Sequence, residues 1–232
     1  MNKIKILPSI VTTHECDYMG RAEEALDLGM KEVAFFPTTI ERAERGKIYE
    51  MLEGKITFPH VHLRHDMDAL ELDYLINAFK TKLFNIHPIY ATEFLRFGAK
   101  YTKQMYVENY GILTEDFLDI LSKFDGLCLD TSHFEDEWYG QSRADNRVLA
   151  DNIDKIKIGC CHIGPVIWDI SLGVNRKYRS AHRFSTLSEF DYLSKFIDLL
   201  PPIVSIEVEN TISEQLQARD YVDKMISACE NR

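Results

Sequence analysis

A chain of 232 residues with 45% apolar side chains can bury one large core, and its composition excludes an intrinsically disordered protein. Its formal charge of -10 opposes broad attraction to phosphate backbones or anionic lipid, so nucleic acid is the less favoured partner and no membrane partner is expected. Five cysteines (Cys16, Cys128, Cys160, Cys161, Cys229), odd in number and without CxxC spacing, predict free thiols packed in the interior rather than a thiolate cage. No apolar leader is visible in MNKIKILPSIVTTHE and no run has the length of a membrane span, so the expected location is cytoplasmic.

In chain order, KIKILPSIV reads as a first strand, followed by a helix that Asp17 caps and Gly29 ends. EVAFFP (32–37) is a second strand, with a helix from near Thr39 to Gly54. ITFPHVHL (56–63) precedes a helical connector over 68–80, and KLFNIHP (82–88) precedes one over 92–102. QMYVEN (104–109) leads to EDFLDILSKF, capped by Thr114 and closed by Gly126. GLCLD (126–130) is followed by helix-period residues over 144–155. After IKIGCCHI (156–163) an extended loop over 163–185 precedes a helix over 187–199, and PIVSIEVEN (202–210) leads to a last helix capped by Ser213.

Strand then helix, eight times, implies parallel strands with right-handed crossovers. At this length they close most simply into a single-domain α/β fold over residues 1–232, the (β/α)8 TIM barrel. An open doubly wound sheet would carry a Gly-rich first turn; neither GxGxxG nor a Walker sequence occurs, so no nucleotide cofactor is expected.

Barrel chemistry sits at the carboxyl ends of the strands, and there the polar residues gather. Strand three ends in His60, His62 and His65, strand four in His87, and strand five in Glu108 and Asn109. Strand six ends in Asp130 and then His133, strand seven in His162, and strand eight in Glu207 and Glu209. His182 falls in the long loop, and His14 after the first strand stands without a role. Crowded carboxylates repel in a low-dielectric mouth, and a divalent cation resolves the conflict. Three carboxylates and an imidazole suit Mn, Mg, Co or Zn, so Glu108, Asp130, His162 and Glu207 are the expected ligands. Glu207 is preferred to Glu209, which parity places on the same face but nearer the rim. His62 and His87 are candidates for a second ion or for substrate hydrogen bonds, and His133 and His182 for a further ion or for substrate oxygens. His60 and His65 read as structural. Arg64, Arg179 and Arg183 are candidates for recognising phosphate or carboxylate, Arg179 being taken as a substrate-binding residue.

On YVEN, CLDTSH, CCHIGP and IVSIEVE the chain resembles the xylose-isomerase-like TIM barrel superfamily, which contains sugar isomerases and epimerases and the endonuclease-IV type of abasic-site (AP) endonuclease. The resemblance implies that Glu108, Asp130, His162 and Glu207 hold the catalytic metal and that His133 matches the histidine three residues after the aspartate. The endonuclease branch adds histidines in HVHLRH and FNIHP, matching His62 and His87, and an Asp-x-His pair after strand seven. Here that loop reads RSAHRF: His182 fits, while Ser180 stands where the aspartate belongs. Two activities follow. In the isomerase or epimerase of a small sugar or sugar derivative, the metal polarises carbonyl and hydroxyl groups while Glu108 and Glu207 exchange a proton with carbon. In a di- or trinuclear zinc phosphoesterase, Glu108 bridges two ions that activate water against a phosphate; abasic DNA fits the chain's charge and size poorly, which leaves a smaller phosphoester, such as a sugar phosphate, or a nucleotide-like substrate. A barrel that only binds metal or ligand ranks last, since both glutamates are present.

Overall fold

Pro8 divides the first strand at the seam of a closed sheet. In the computed structural model, which describes residues 4–13, 16–137, 146–169 and 177–230, this strand (β1) runs in two halves, Lys5–Leu7 and Ser9–Val11. The first half pairs with Ile203–Ile206 (β8) and the second with Ala34–Phe36 (β2), so one strand joins both edges of the sheet. Proline has no N–H to give to a ladder, yet its carbonyl still accepts from the Ala34 N–H at 2.8 Å. Between these lie β3 (His60–His62), β4 (Leu83–Ile86), β5 (Met105–Glu108), β6 (Gly126–Asp130) and β7 (Ile158–Ile163), each parallel to its neighbours. This is the eight-stranded parallel barrel the alternation predicts. Gln215 secures the seam from outside, accepting from Ser9 N–H at 2.7 Å and donating to the Ser9 carbonyl at 3.0 Å.

Helices follow the strands, with local departures. α1 (Tyr18–Asp27) is capped by Asp17, α2 is Arg42–Leu52, and α3 (Ala69–Ala78) is capped by Asp68. α4 (Pro88–Phe94) and α5 (Ala99–Thr102) fill the fourth crossover, α6 (Phe117–Leu121) the fifth, and α7 (Thr131–Glu135) with α8 (Arg147–Ala150) the sixth. α6 is shorter than its apolar pattern suggests, because Thr114 spends its hydroxyl on Asp116 rather than on a helical N–H. The seventh connector is a 3-10 helix, Leu187–Lys195, closed at its start by a Thr186–Glu189 capping box. The last helix, α9 (Ile212–Glu230), is capped two residues earlier than Ser213: Glu214 N–H donates to Thr211 Oγ1 at 3.1 Å and Thr211 N–H to Glu214 Oε2 at 2.9 Å.

The expected loop over 163–185 also gains order. It carries an antiparallel hairpin, Val166–Asp169 with Lys177–Ser180, because Val166, Ile167, Trp168 and Tyr178 are strand formers that find each other across a return. Residues 170–176 of this loop, His14, and positions 144 and 145 of the sixth connector lie outside the described residues.

Side chains alternate across the staves. Outward residues such as Phe35, Phe58 and Phe79 stack at 4.9 and 4.3 Å between sheet and helices, each contributing about 1.5–3 kcal/mol by burial. Inward residues form layers. Leu83, Tyr106, Cys128 and Cys160 make an apolar layer low in the barrel. Gly159 is required there, since a Cβ would lie 1.9 Å from the Tyr106 ring. Above them the inward positions turn polar.

Candidate metal centre

The polar layer is built from strand ends. Asp130, last in β6, serves two purposes on two oxygens. Its Oδ1 caps α7, accepting from His133 N–H at 2.8 Å and from the Ser132 hydroxyl at 2.7 Å. Its Oδ2 faces the barrel axis, 3.9 Å from His162 Nδ1 and 3.5 Å from His133 Nε2. Asn109 locks the strand end from β5, donating to the Asp130 carbonyl at 2.9 Å and accepting from its N–H at 2.7 Å.

Glu108 ends β5 with 2% side-chain exposure, its Oε2 accepting from Asn85 Nδ2 at 2.7 Å. Because the carboxylate can only accept, the Asn85 amide nitrogen must face it and Asn85 Oδ1 must face His60 Nε2, 3.1 Å away. His60 therefore donates from Nε2 and accepts at Nδ1 from Ser205 Oγ, 2.8 Å away. This chain of neutral bonds from β8 through β3 and β4 to β5 gives His60 the structural role expected of it. Burial and the nearby His162 hold its pKa well below the usual imidazole range.

Glu207 follows β8 directly, and its N–H donates to the Ile163 carbonyl at 2.9 Å, which sets its carboxylate beside β7. Glu207 Oε2 lies 3.0 Å from His162 Nδ1, and Glu108 Oε2 lies 3.6 Å from the same nitrogen. One donor atom from each of Glu108, Asp130, His162 and Glu207 falls within 4.8 Å of the others. The sequence-predicted quartet is thus one cluster. Glu209 turns away: Thr13 donates its hydroxyl to the Glu209 carboxylate.

Electrostatics bear on whether this quartet fits a cation. His162 is fully buried, yet neither ring nitrogen has a hydrogen-bond partner, a costly arrangement for an imidazole. Burial lowers its pKa, but Glu207 and Glu108 outweigh burial and raise it to about 10. Against burial in turn, His162 pulls Glu207 down to about 2 and Glu108 well below the carboxylate range. Asp130 is raised by burial and by repulsion from Glu207 and Glu108. Three carboxyl groups face a single imidazolium charge at a place where a divalent ion with oxygen and nitrogen ligands would fit.

A second cluster adjoins the first through Glu108. His62 donates from Nδ1 to the Leu63 carbonyl at 3.0 Å, and its Nε2, which has no hydrogen-bond partner, lies 3.2 Å from Glu108 Oε2. His87 Nε2 stands 4.0 Å from Glu108 Oε1, and His62, His87 and Glu108 form a separate group of converging donors. His87 also stacks on Tyr110, with centroids 4.2 Å apart.

The other predicted residues divide. His133 is buried at the mouth, 3.7 Å from Glu108 Oε1; burial opposes its charging, but Asp130, Glu108 and Glu207 raise its pKa. His182 is exposed, and its carbonyl accepts from Glu209 N–H at 2.6 Å. Among the described residues no converging donor group contains both His133, which is buried, and His182, which is exposed, and Ser180, in the aspartate's place, donates its hydroxyl to Asp136 at 2.6 Å. Arg179 pairs across the hairpin with Ile167, on the face opposite to Ser180. Arg64 is engaged with Asp66 at 2.6 Å, His65 stacks on Tyr90, and Arg183 is exposed.

Sequence reasoning missed Asn85, whose signal was its two-residue spacing from both Leu83 and His87; Cys128 Sγ lies within 4.8 Å of donor atoms of Glu108 and His162. His60, Cys128 and Cys160 also converge, but both His60 nitrogens are occupied and burial pushes the Cys128 thiol well up, so these thiols pack as expected.

Fold and site together define a (β/α)8 barrel with a buried carboxylate–histidine cluster at its carboxyl-end mouth. No protein-family model matches the chain, and no curated protein matches its sequence. Solved structures do match in fold. The IolI protein, solved with a bound zinc atom, is 15% identical over 97% of this chain and 99% of its own, with a TM-score of 0.52. The phospho-2-dehydro-3-deoxyheptonate aldolase of Thermotoga maritima is 12% identical over 98% of this chain and 70% of its own, with a TM-score of 0.58. No described helix is long and apolar enough to cross a membrane.

Proposed function

We propose that this protein is a divalent-metal-dependent enzyme that isomerises or epimerises a small sugar or sugar derivative, with Glu108 and Glu207 as its acid and base. The observation that carries the reading is the pair of glutamates flanking an unbonded, buried His162, with Asp130 in the same cluster. The zinc in the fold neighbour IolI supports a metal here. When bound, a divalent ion polarises a carbonyl and neutralises the crowded carboxylates. Glu108 is held by Asn85, whereas Glu207 keeps 14% side-chain exposure and opens to the mouth. Glu207 takes the proton from the carbon next to the carbonyl; in isomerisation it returns that proton to the former carbonyl carbon while the hydroxyl proton passes to the former carbonyl oxygen, and in epimerisation Glu207 keeps it while Glu108, protonated beforehand, delivers its own proton to the opposite face of the same carbon. His133, with its raised pKa, donates a hydrogen bond to a substrate oxygen.

A specific observation favours a second reading, a dinuclear phosphoesterase. The unshared His62 Nε2 facing Glu108, with His87 beside it, forms a second donor set. Metal analysis of protein purified without a chelating tag separates the two. One Mn or Co per chain supports the isomerase and two or more zinc ions the phosphoesterase; no bound metal, with no gain in Tm on adding any, sinks the site. Glu207→Gln abolishes turnover on this reading while the barrel keeps its circular dichroism, and retained turnover removes Glu207 from catalysis.

A further inference from the structure

All three exposed aromatic side chains among the described residues border the proposed mouth. Tyr110, 47% exposed, stacks on His87 and meets His133 edge-on at 5.4 Å. Trp168 and Tyr178, 45% and 42% exposed, pack on each other across the hairpin with centroids 4.4 Å apart at 65°. Such rings are ordinarily buried, and their collection at one opening points to a ligand surface.

Hairpin register says which way the pair faces. Trp168 is opposite Tyr178 and Val166 is opposite Ser180, so these four share a face, while Ile167 and Arg179 take the other. Ser180 Oγ lies 3.5 Å from His133 Nδ1, so the shared face is the one turned to His133. Two residues along a strand span about 7 Å, which sets the aromatic pair roughly that far beyond His133. The hairpin is fixed at that height. Tyr178 N–H donates to Glu137 Oε2 at 2.8 Å and the Tyr178 carbonyl accepts from Glu137 N–H at 3.0 Å. Ser180 N–H donates to Asp136 at 3.0 Å and Ala181 N–H to the Pro165 carbonyl at 3.0 Å.

We infer that Trp168 and Tyr178 form a stacking subsite for a second ring of the substrate, so the substrate class is a neutral reducing disaccharide, whose sugar unit at the carboxylate cluster keeps its free carbonyl carbon, and not a monosaccharide. The inference rests on the reading of this mouth as a sugar site. A sugar unit held by the carboxylate cluster and His133 leaves its far end near the pair, where the C–H face of a further ring packs on aromatic surface. Neutrality follows from the surroundings. Among the described side chains of the hairpin the cation Arg179 is on the opposite face, and the carboxylates of Glu137 and Asp136 stand against the strand that carries Tyr178, where they repel an anion.

Calorimetry on zinc-loaded protein tests this with free hexoses and pentoses against reducing disaccharides that carry the same sugars at the reducing end. At least one disaccharide is expected to bind ten-fold or more tightly than the free sugar of its reducing end. Trp168→Ala and Tyr178→Ala should each erase most of that preference, leaving free-sugar affinity, metal content and Tm unchanged. Equal affinities across the panel, or a preference that survives both substitutions, overturns the subsite. So does sedimentation showing that Trp168→Ala turns a dimer into a monomer, since the pair is then a subunit contact. A protein without metal that still shows the Trp168-dependent preference overturns the metal reading and keeps the subsite.

Discussion

Asp130 shows how one side chain satisfies two demands. A helix cap needs a single acceptor, and a carboxylate has a second oxygen left to face the barrel axis. Asn85 depends on the same kind of accounting, since it carries the hydrogen-bond chain from His60 to Glu108. Asn85→Ala leaves Glu108 without its buried donor, a loss of about 1–3 kcal/mol in stability. Metal affinity should fall roughly 10- to 100-fold, as when other groups that orient a ligand are removed. Isothermal titration with zinc checks this; a lowered Tm with unchanged affinity would mean that Asn85 only packs.

Elements are tied together by their ends. Glu24 of α1 accepts from the Ile212 and Ser213 N–H groups at 2.8 and 3.0 Å, and so neutralises the start of the 19-residue α9. Burial opposes ionisation of Glu24, but these bonds prevail and its pKa lies below the ordinary value. A depressed carboxyl contributes stability that is present above the unfolded pKa, about 4.3, and lost as pH falls through the folded one. Glu24→Gln is therefore expected to lower Tm at pH 7, with the gap to wild type closing below about pH 4. A gap that is the same at pH 7 and pH 3 would show that charge plays no part. The helix caps at Asp17 and Asp68 were legible in sequence because capping is local, and so was the T-x-x-E spacing of Thr211 and Glu214 that caps α9; the bonds that Glu24, distant in the chain, accepts from its first N–H groups were not.

At the scale of the molecule the barrel concentrates negative charge in its mouth and spreads the remainder of the -10 over its surface. Folding forces Glu108, Asp130, His162 and Glu207 together whether or not an ion is present, so an ion bound on the proposed reading would relieve repulsion accumulated over four strands. A metal that binds only the folded chain stabilises it by about 2.7 kcal/mol at 100 times its Kd, or roughly 5–11 °C in Tm for a protein of this size. Chelation should reverse the gain, and Glu207→Gln should reduce it; thermal scans that are insensitive to both would argue against a resident ion.

The sequence by itself determined the staves and what stands at their ends. Strand and helix periods are local, and the carboxyl end of a strand is identifiable from the polar residue that ends an apolar run. Glu108, Asp130, His162 and Glu207 were legible for that reason. Lateral relations were decided only by the tertiary structure. Barrel register brought Asn85 to Glu108, aimed the bare nitrogen of His62 at the same carboxylate, separated His182 from His133, and turned an apparent loop into a hairpin bearing Trp168 and Tyr178. The physical reason is that a strand's pattern specifies which face a residue takes, whereas its neighbours on that face come from strands distant in the chain, brought alongside by closure of the sheet at Pro8.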